Sequence, residues 1–291
     1  MAGRRKKETS DEELEAMVAS GQAGAYEALQ LYRSRSNRLK VKGDIDGAVR
    51  VAARGAKLLC AGFEKAGMEL TSLLIETLTE AEQDCTPENR GLINDIDAAF
   101  PEKSALRIDF LMAAIKWTMK CGPRQLGDPM LHSRLAVCLW NTSLPAERIK
   151  AVYHFSVAEM PEALCASIVN DCSGEEREQL LAFAITQMLA LESIRDAVTL
   201  LADYKNSMKG EKQAISELVK FSDYLLQVCK RDAAPLFQTL VQTYSPLLET
   251  QPHMANLVYG PIASKYFNLR PQQEQNMMSM LQNMMGGGMA Y

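Results

Sequence analysis

Acid–base, nucleophilic or metal chemistry in this chain would have to come from three histidines, seven cysteines and 36 carboxylates. The histidines, His132, His154 and His253, are too few and too scattered to gather round a metal. No H-E-x-x-H or C-x-x-C motif occurs, and Cys165 and Cys172 lie at a separation that matches no zinc motif. The glycine-rich stretch from Gly122 to Gly127 has no following Lys-Ser/Thr, so it is not a phosphate-binding loop. Nucleophile elbows and paired Asp-rich motifs for magnesium diphosphates are missing as well. His132 falls in the first turn of a helix, where a structural role outweighs a catalytic one. Glu69, Glu76 and Glu80 share one face of a helix, but an acidic stripe without a convergent partner is a solvated or docking face, not a catalytic pair. The residue types point to a protein that binds other proteins.

The elements that would position these residues are helices. The firmest signal is Gln125-Leu126-Gly127-Asp128-Pro129-Met130-Leu131-His132. Gly127 permits a tight turn, Asp128 can accept from the free N–H groups of a starting helix, and Pro129 suits the first helical position. Leu131, Leu135, Cys138 and Leu139 then line one helical face. A short loop therefore feeds a capped, buried helix.

Similar punctuation runs along the chain. Ser10-Asp11-Glu12-Glu13 reads as a capping box opening a short first helix. A second helix covers about 23–42, burying Ala28, Leu29, Tyr32 and Leu39, and a third runs from Asp44 toward Gly62. A fourth spans 66–83. Thr86-Pro87, Phe100-Pro101, Ser143-Leu144-Pro145 and Met160-Pro161 start further helices, and Ser173-Gly174-Glu175-Glu176 reads as a second capping box. Helices follow at about 194–204, 215–230, 233–244 and 252–267. No segment alternates as a sheet strand does. A small β-hairpin would fit only in the polar stretch 205–213. A dozen or so helices of 10–20 residues on short Gly/Pro turns predict an all-α fold, an α-solenoid of stacked antiparallel helix pairs of the TPR-like kind with degenerate repeats. The expected organisation is a disordered leader over 1–9, solenoid halves over 10–141 and 142–270, and a Met-rich flexible tail over 271–291. In that tail Met277, Met280, Leu281 and Met284 share a helical face.

Composition excludes several classes. With 47% hydrophobic and 23% charged residues over 291 positions, the chain has the balance of a soluble globular protein. It contains no apolar run of about 18 residues, the length needed to span a bilayer. The basic start, Arg4-Arg5-Lys6-Lys7, has no apolar segment behind it and is read as no secretory signal. A net charge of −4 gives no broad footprint for nucleic acid, and no period near 35 residues supports a nucleic-acid-binding repeat. Scattered thiols, odd in number, fit a reducing cytosolic or nuclear setting better than a disulfide framework.

The order of several short stretches resembles the Get-four family, the helical scaffold subunit in the guided entry of tail-anchored membrane proteins. Tyr26-Glu27-Ala28, Gln30 and Arg33, then Asn37-Arg38 and Gly55-Ala56, are similar to its first hairpin. Glu69-Leu70, Leu73-Leu74, Glu76 and Ala81-Glu82 resemble its fourth helix. The segment 106–117 followed by the central loop matches in order and spacing, as do Tyr153 with Phe155 and Tyr266-Phe267-Asn268-Leu269 with Pro271. Glu69 stands where an Asp is usual in fungal members, the tip of the first helix is more acidic than the family's, and the segment around 205–213 is shorter than the fungal hairpin region.

The resemblance implies a cytosolic, non-enzymatic adaptor with no cofactor and no direct membrane insertion. The N-terminal half would dock the targeting ATPase through Tyr26, Arg33, Arg35, Arg38, Lys42, Glu69 and Glu76. Of these, Arg35, Arg38 and Lys42 recur on one side of their helix. The C-terminal half would hold a ubiquitin-like subunit through Tyr204, Met208, Phe221, Leu225 and Val228, and a Bag-type chaperone would join in animals. The alternative is a solenoid scaffold subunit of another multiprotein complex.

Overall fold

The computed structural model describes residues 9–209 and 216–269, and among these it contains helices and turns but no strand. The leader apart from Thr9, residues 210–213 of the proposed hairpin and the Met-rich tail lie outside the described residues. The chain divides into two compact units, Met1–Ser143 and Leu144–Tyr291.

The first unit is built from α1 (Asp11–Ala19), α2 (Gln22–Val41), α3 (Ile45–Cys60), α4 (Glu64–Glu80), α5 (Pro87–Ala99), α6 (Ala105–Cys121) and α7 (Pro129–Asn141). The Ser10 capping box forms, with Glu13 N donating to Ser10 Oγ at 3.2 Å and Ser10 N to Glu13 Oε2 at 2.8 Å. Asp44, Thr86, Ser104 and Asp128 cap α3, α5, α6 and α7 through their side chains. Apart from α4 and α5, each helix packs on the next in sequence, and α2, α3 and α4 also reach the next helix but one. That two-layer pattern, α2–α4–α6 over α3–α5, is solenoid packing. Gly55 makes it tight, because a Cβ there would come within 2.6 Å of both the Tyr32 ring and Leu70. The interior is closed by Tyr32, Leu70, Leu74, Phe110 and Trp117, all essentially buried.

Three of these helices are also tied by charge. Asp97 on α5 is fully buried and takes a two-pronged contact from Arg107 of α6, Nε at 2.7 Å and Nη2 at 3.0 Å, and a third from Arg134 of α7 at 2.6 Å. A buried carboxylate must be paired to be tolerated, and two guanidinium groups with three hydrogen bonds satisfy it.

The second unit comprises α8 (Pro145–Val157), α9 (Pro161–Asp171), α10 (Gly174–Ala190), α11 (Ile194–Ser207), α12 (Glu217–Lys230), α13 (Ala234–Thr243), α14 (Ser245–Glu249) and α15 (Pro252–Leu257). A π-helical turn, Val258–Ile262, and α16 (Ala263–Phe267) complete it. The apolar α10 is the axis, touching α8, α9, α11, α12 and α15.

Four local expectations are revised. Residues 205–207 complete the last turn of α11 and so are no part of a hairpin. The second capping box does not form: Ser173 makes no side-chain cap, and Glu176 turns to Arg148 of α8 at 2.6 Å, a stronger charge-assisted contact. The helix expected over 252–267 is interrupted by the π turn around Pro261, whose missing N–H cannot continue the α ladder. Ser245-Pro246 starts a short helix the periodicity did not show. All seven cysteines are free, and five are buried. Burial pushes the thiols of Cys60 and Cys229 up to about 12, which makes them inert at neutral pH.

Candidate functional site

The face that α2 and α4 present together carries most of the predicted docking residues. Arg33 and Glu69 meet across the two helices at 3.5 Å, each about half exposed, and Lys40 meets Glu80 at 2.5 Å. Glu76 lies exposed on the same acidic stripe. The Lys40 ammonium holds the Glu80 carboxyl below its ordinary range. Pairs this exposed contribute little to stability. A partner offering a better-placed charge can therefore displace them at little cost.

Two hollows flank these pairs. The larger, about 950 Å³, runs between the starts of α2 and α4, with Leu29 and Phe63 on its apolar side and Tyr26, Lys65 and Glu69 at its rim. Tyr26 is 62% exposed, unusual for a large aromatic. The smaller hollow, about 570 Å³, follows α2 past Arg33, Asn37, Arg38, Val41 and Lys42. Val41 is 89% exposed there. Arg38 and Lys42 thus share a surface with Arg33. Arg35 does not: it is mostly buried and held by Asp11 of α1 at 3.2 Å and by the Thr9 carbonyl. Helical spacing put Arg35 in line with Arg38, but α1 packs on that side and claims it.

The central loop is a structural fixture. Gly127 sits at φ +90°, where a Cβ would press on Thr118 Oγ1 and the Ile115 carbonyl. Asp128 Oδ1 accepts from Met130 N at 2.9 Å and Leu131 N at 3.4 Å, while its other oxygen meets Arg90 of α5 at 2.9 Å. His132 is buried, and its Nε2–H donates to the Leu126 carbonyl at 2.8 Å. Burial depresses its pKa below the ordinary 6.5, outweighing the loop carbonyl and Asp128. The unfolded chain therefore binds this proton more readily than the folded one. The stabilisation is complete above the unfolded value near 6.5 and is lost as pH falls through the lower folded one. Melting curves between pH 7.5 and 5.5 should show wild type losing more stability than His132→Gln. Parallel losses would refute the assignment.

In the second unit the predicted apolar strip faces inward. Phe221 and Leu225 are fully buried, Val228 is 7% exposed and Tyr204 is 6% exposed. Phe221 lies 5.3 Å from the Tyr244 ring, inside the α12–α13 packing. Their i, i+4, i+7 spacing is the inner face of an amphipathic helix. Met208 is half-buried, its sulfur 3.4 Å from Arg177 Nη1. The outward apolar groups at this end, which spacing did not single out, are Tyr224 at 51% and Leu236 at 56% exposed. Among the described residues no group of three or more His, Cys, Asp or Glu could hold a metal, and no helix is long and apolar enough to cross a membrane.

Comparison with known proteins agrees with this architecture. The model of the family described as Golgi to ER traffic protein 4 matches residues 42–287. Protein GET4 of Arabidopsis thaliana is 27% identical, covering 90% of this chain and 91% of that protein. The Golgi to ER traffic protein 4 homolog of Homo sapiens is 26% identical, over 89% of this chain and 80% of its own length. A solved structure titled as that of C. therm. Get4 superposes with a TM-score of 0.77 at 24% identity, covering 96% of this chain and 94% of that one.

Proposed function

The chain belongs to the Golgi to ER traffic protein 4 family, and on that premise we propose that it is a non-enzymatic cytosolic adaptor in the targeting of tail-anchored membrane proteins to the endoplasmic reticulum. In this reading the α2–α4 face docks the targeting ATPase, and the second unit holds a ubiquitin-like subunit. A Bag-type chaperone adds to the assembly in animals. The observation that carries the reading is the exposed Arg33–Glu69 pair beside the groove rimmed by Tyr26. It is a surface of weakly held charges next to an uncovered aromatic, the composition of a binding face rather than of a merely soluble one.

Reversing both Arg33 and Arg38 to Glu should weaken ATPase binding at least tenfold and flatten its salt dependence. Because Arg33 is half exposed, the fold should survive, and an unchanged melting curve controls for that. Intact ATPase binding by the folded double variant would remove α2 from the interface. Glu69→Lys isolates the acidic side of the pair. It should change the ATPase's hydrolysis rate more than its affinity, since Glu69 matches an acidic position that the family resemblance links to control of hydrolysis. Equal turnover with wild-type and Glu69→Lys scaffold would sink that role.

A further inference from the structure

Beyond the α2–α4 face, the layer continues onto α6, and there the surface changes character. Met112 and Met119 are 43% and 45% exposed, one above the other at i, i+7, and Leu126 of the central loop is 41% exposed. The Met119 side chain comes against Gly127, so the apolar stripe runs off the end of α6 onto the loop. Lys116 and Lys120 are exposed along the same stretch of helix. Lys120 is close enough to Glu80 to help lower its pKa, which ties this stripe to the edge of the acidic one. Flexible thioethers among ammonium groups suit an adaptable apolar contact with an anionic surround.

At the loop end the surface opens into a cavity of about 270 Å³, lined in part by Cys85, Arg90, Thr118, Arg124 and Asp128. That is smaller than ordinary small-molecule sites, which begin at about 300 Å³. Its polar chemistry is lopsided. Asp128 is the sole carboxylate among the described residues lining it, and one of its oxygens is taken by the α7 amides and the other by Arg90. Arg90 Nε is buried with no hydrogen-bond partner. A buried guanidinium N–H left unsatisfied is costly.

We propose that α6 and the central loop form a second docking surface, for an acidic amphipathic helix of a protein partner. Its apolar residues lie on Met112, Met119 and Leu126, its acidic residues face Lys116 and Lys120, and one carboxylate sits at the cavity beside the exposed part of the Arg90 guanidinium. The surface rests on none of the roles assigned to α2 and α4, so either can fail without the other.

The test uses the full chain with 13C-methyl-labelled methionines, the Met112 and Met119 signals being assigned through the Met112→Leu and Met119→Leu variants. The probe is a panel of 18-residue helical peptides with Leu along one face and Glu beside it, in several registers, with a matched panel carrying Lys for Glu. At least one Glu peptide should shift the Met112 and Met119 methyl signals and bind tenfold or more tightly than its Lys counterpart. Lys116→Glu/Lys120→Glu should reverse that preference. Arg90→Met should weaken the Glu peptide several-fold. Because Arg90 also braces Asp128, its melting curve is compared with that of Arg90→Lys, which keeps the charge and loses Nε. The proposal is overturned if no register binds, if Glu and Lys peptides bind alike, or if binding leaves these two methyl groups unmoved.

Discussion

Asp97→Ala should cost the first unit about 3–5 kcal/mol, the range for breaking a buried ion pair from one side. The carboxylate is wholly buried, and both its guanidinium partners are largely withdrawn from water, with side chains 19% and 33% exposed. Removing it leaves Arg107 and Arg134 facing each other across an empty site, with α5, α6 and α7 no longer tied by charge. Against a typical total of about 5–15 kcal/mol, that is a large fraction, and thermal melting should fall by roughly 10 °C or more. Asp97→Asn keeps the shape and some hydrogen bonds, so it should fall between. Replacing all three members by apolar residues of similar size should recover much of the loss, because desolvating charges offsets much of what their attraction contributes. A melt of Asp97→Ala within 2 °C of wild type would show that the triad is incidental.

The triad illustrates what the sequence conceals. Asp97 follows Ile93 and Ile96 on the buried side of α5, and periodicity offers no reason to place a charge there. Its partners stand ten and 37 positions away, a pairing set by how α6 and α7 stack. By contrast, the Ser10 box, the Asp128 cap and the Gly127 turn were legible, because each is decided within four residues by backbone hydrogen bonding. Ser173 looked equally clear and failed when Arg148 of another helix drew Glu176 away. The site residues divide similarly. Arg33, Arg38, Lys42, Glu69 and Glu76 are exposed, since charged side chains on a helix opposite an apolar stripe have nowhere else to go. Arg35 belongs to the same helix, yet α1 covers it. Spacing says which residues share a side, but not whether another helix packs there.

That ambiguity decides the second unit, where one substitution separates core from surface. Phe221→Ala should destabilise the chain by about 3–5 kcal/mol, the cost of deleting a fully enclosed aromatic. Phe221 is 0% exposed and packs on Tyr244, whose hydroxyl reaches Glu217 at 3.3 Å. Loss of the ring should loosen α12 against α13 and lower the melting temperature whether or not a partner is present. Tyr224 and Leu236 behave oppositely if this end binds the ubiquitin-like subunit. Each is about half exposed, so Tyr224→Ser with Leu236→Ser removes apolar surface that already meets water. Surface changes of this kind stay within about 0.5 kcal/mol each. The melting temperature of the isolated chain should therefore hardly move. In the complex the same two groups would be covered, at about 25 cal/mol per Å² of apolar area, so the double variant should lose subunit binding tenfold or more while ATPase binding persists. Truncating 205–213 is a poorer experiment, because it removes the last turn of α11 and the Lys205–Asp223 pair at 2.6 Å. If the folded Tyr224→Ser/Leu236→Ser protein still co-purifies with the subunit at full yield, the grip lies on another surface of the second unit.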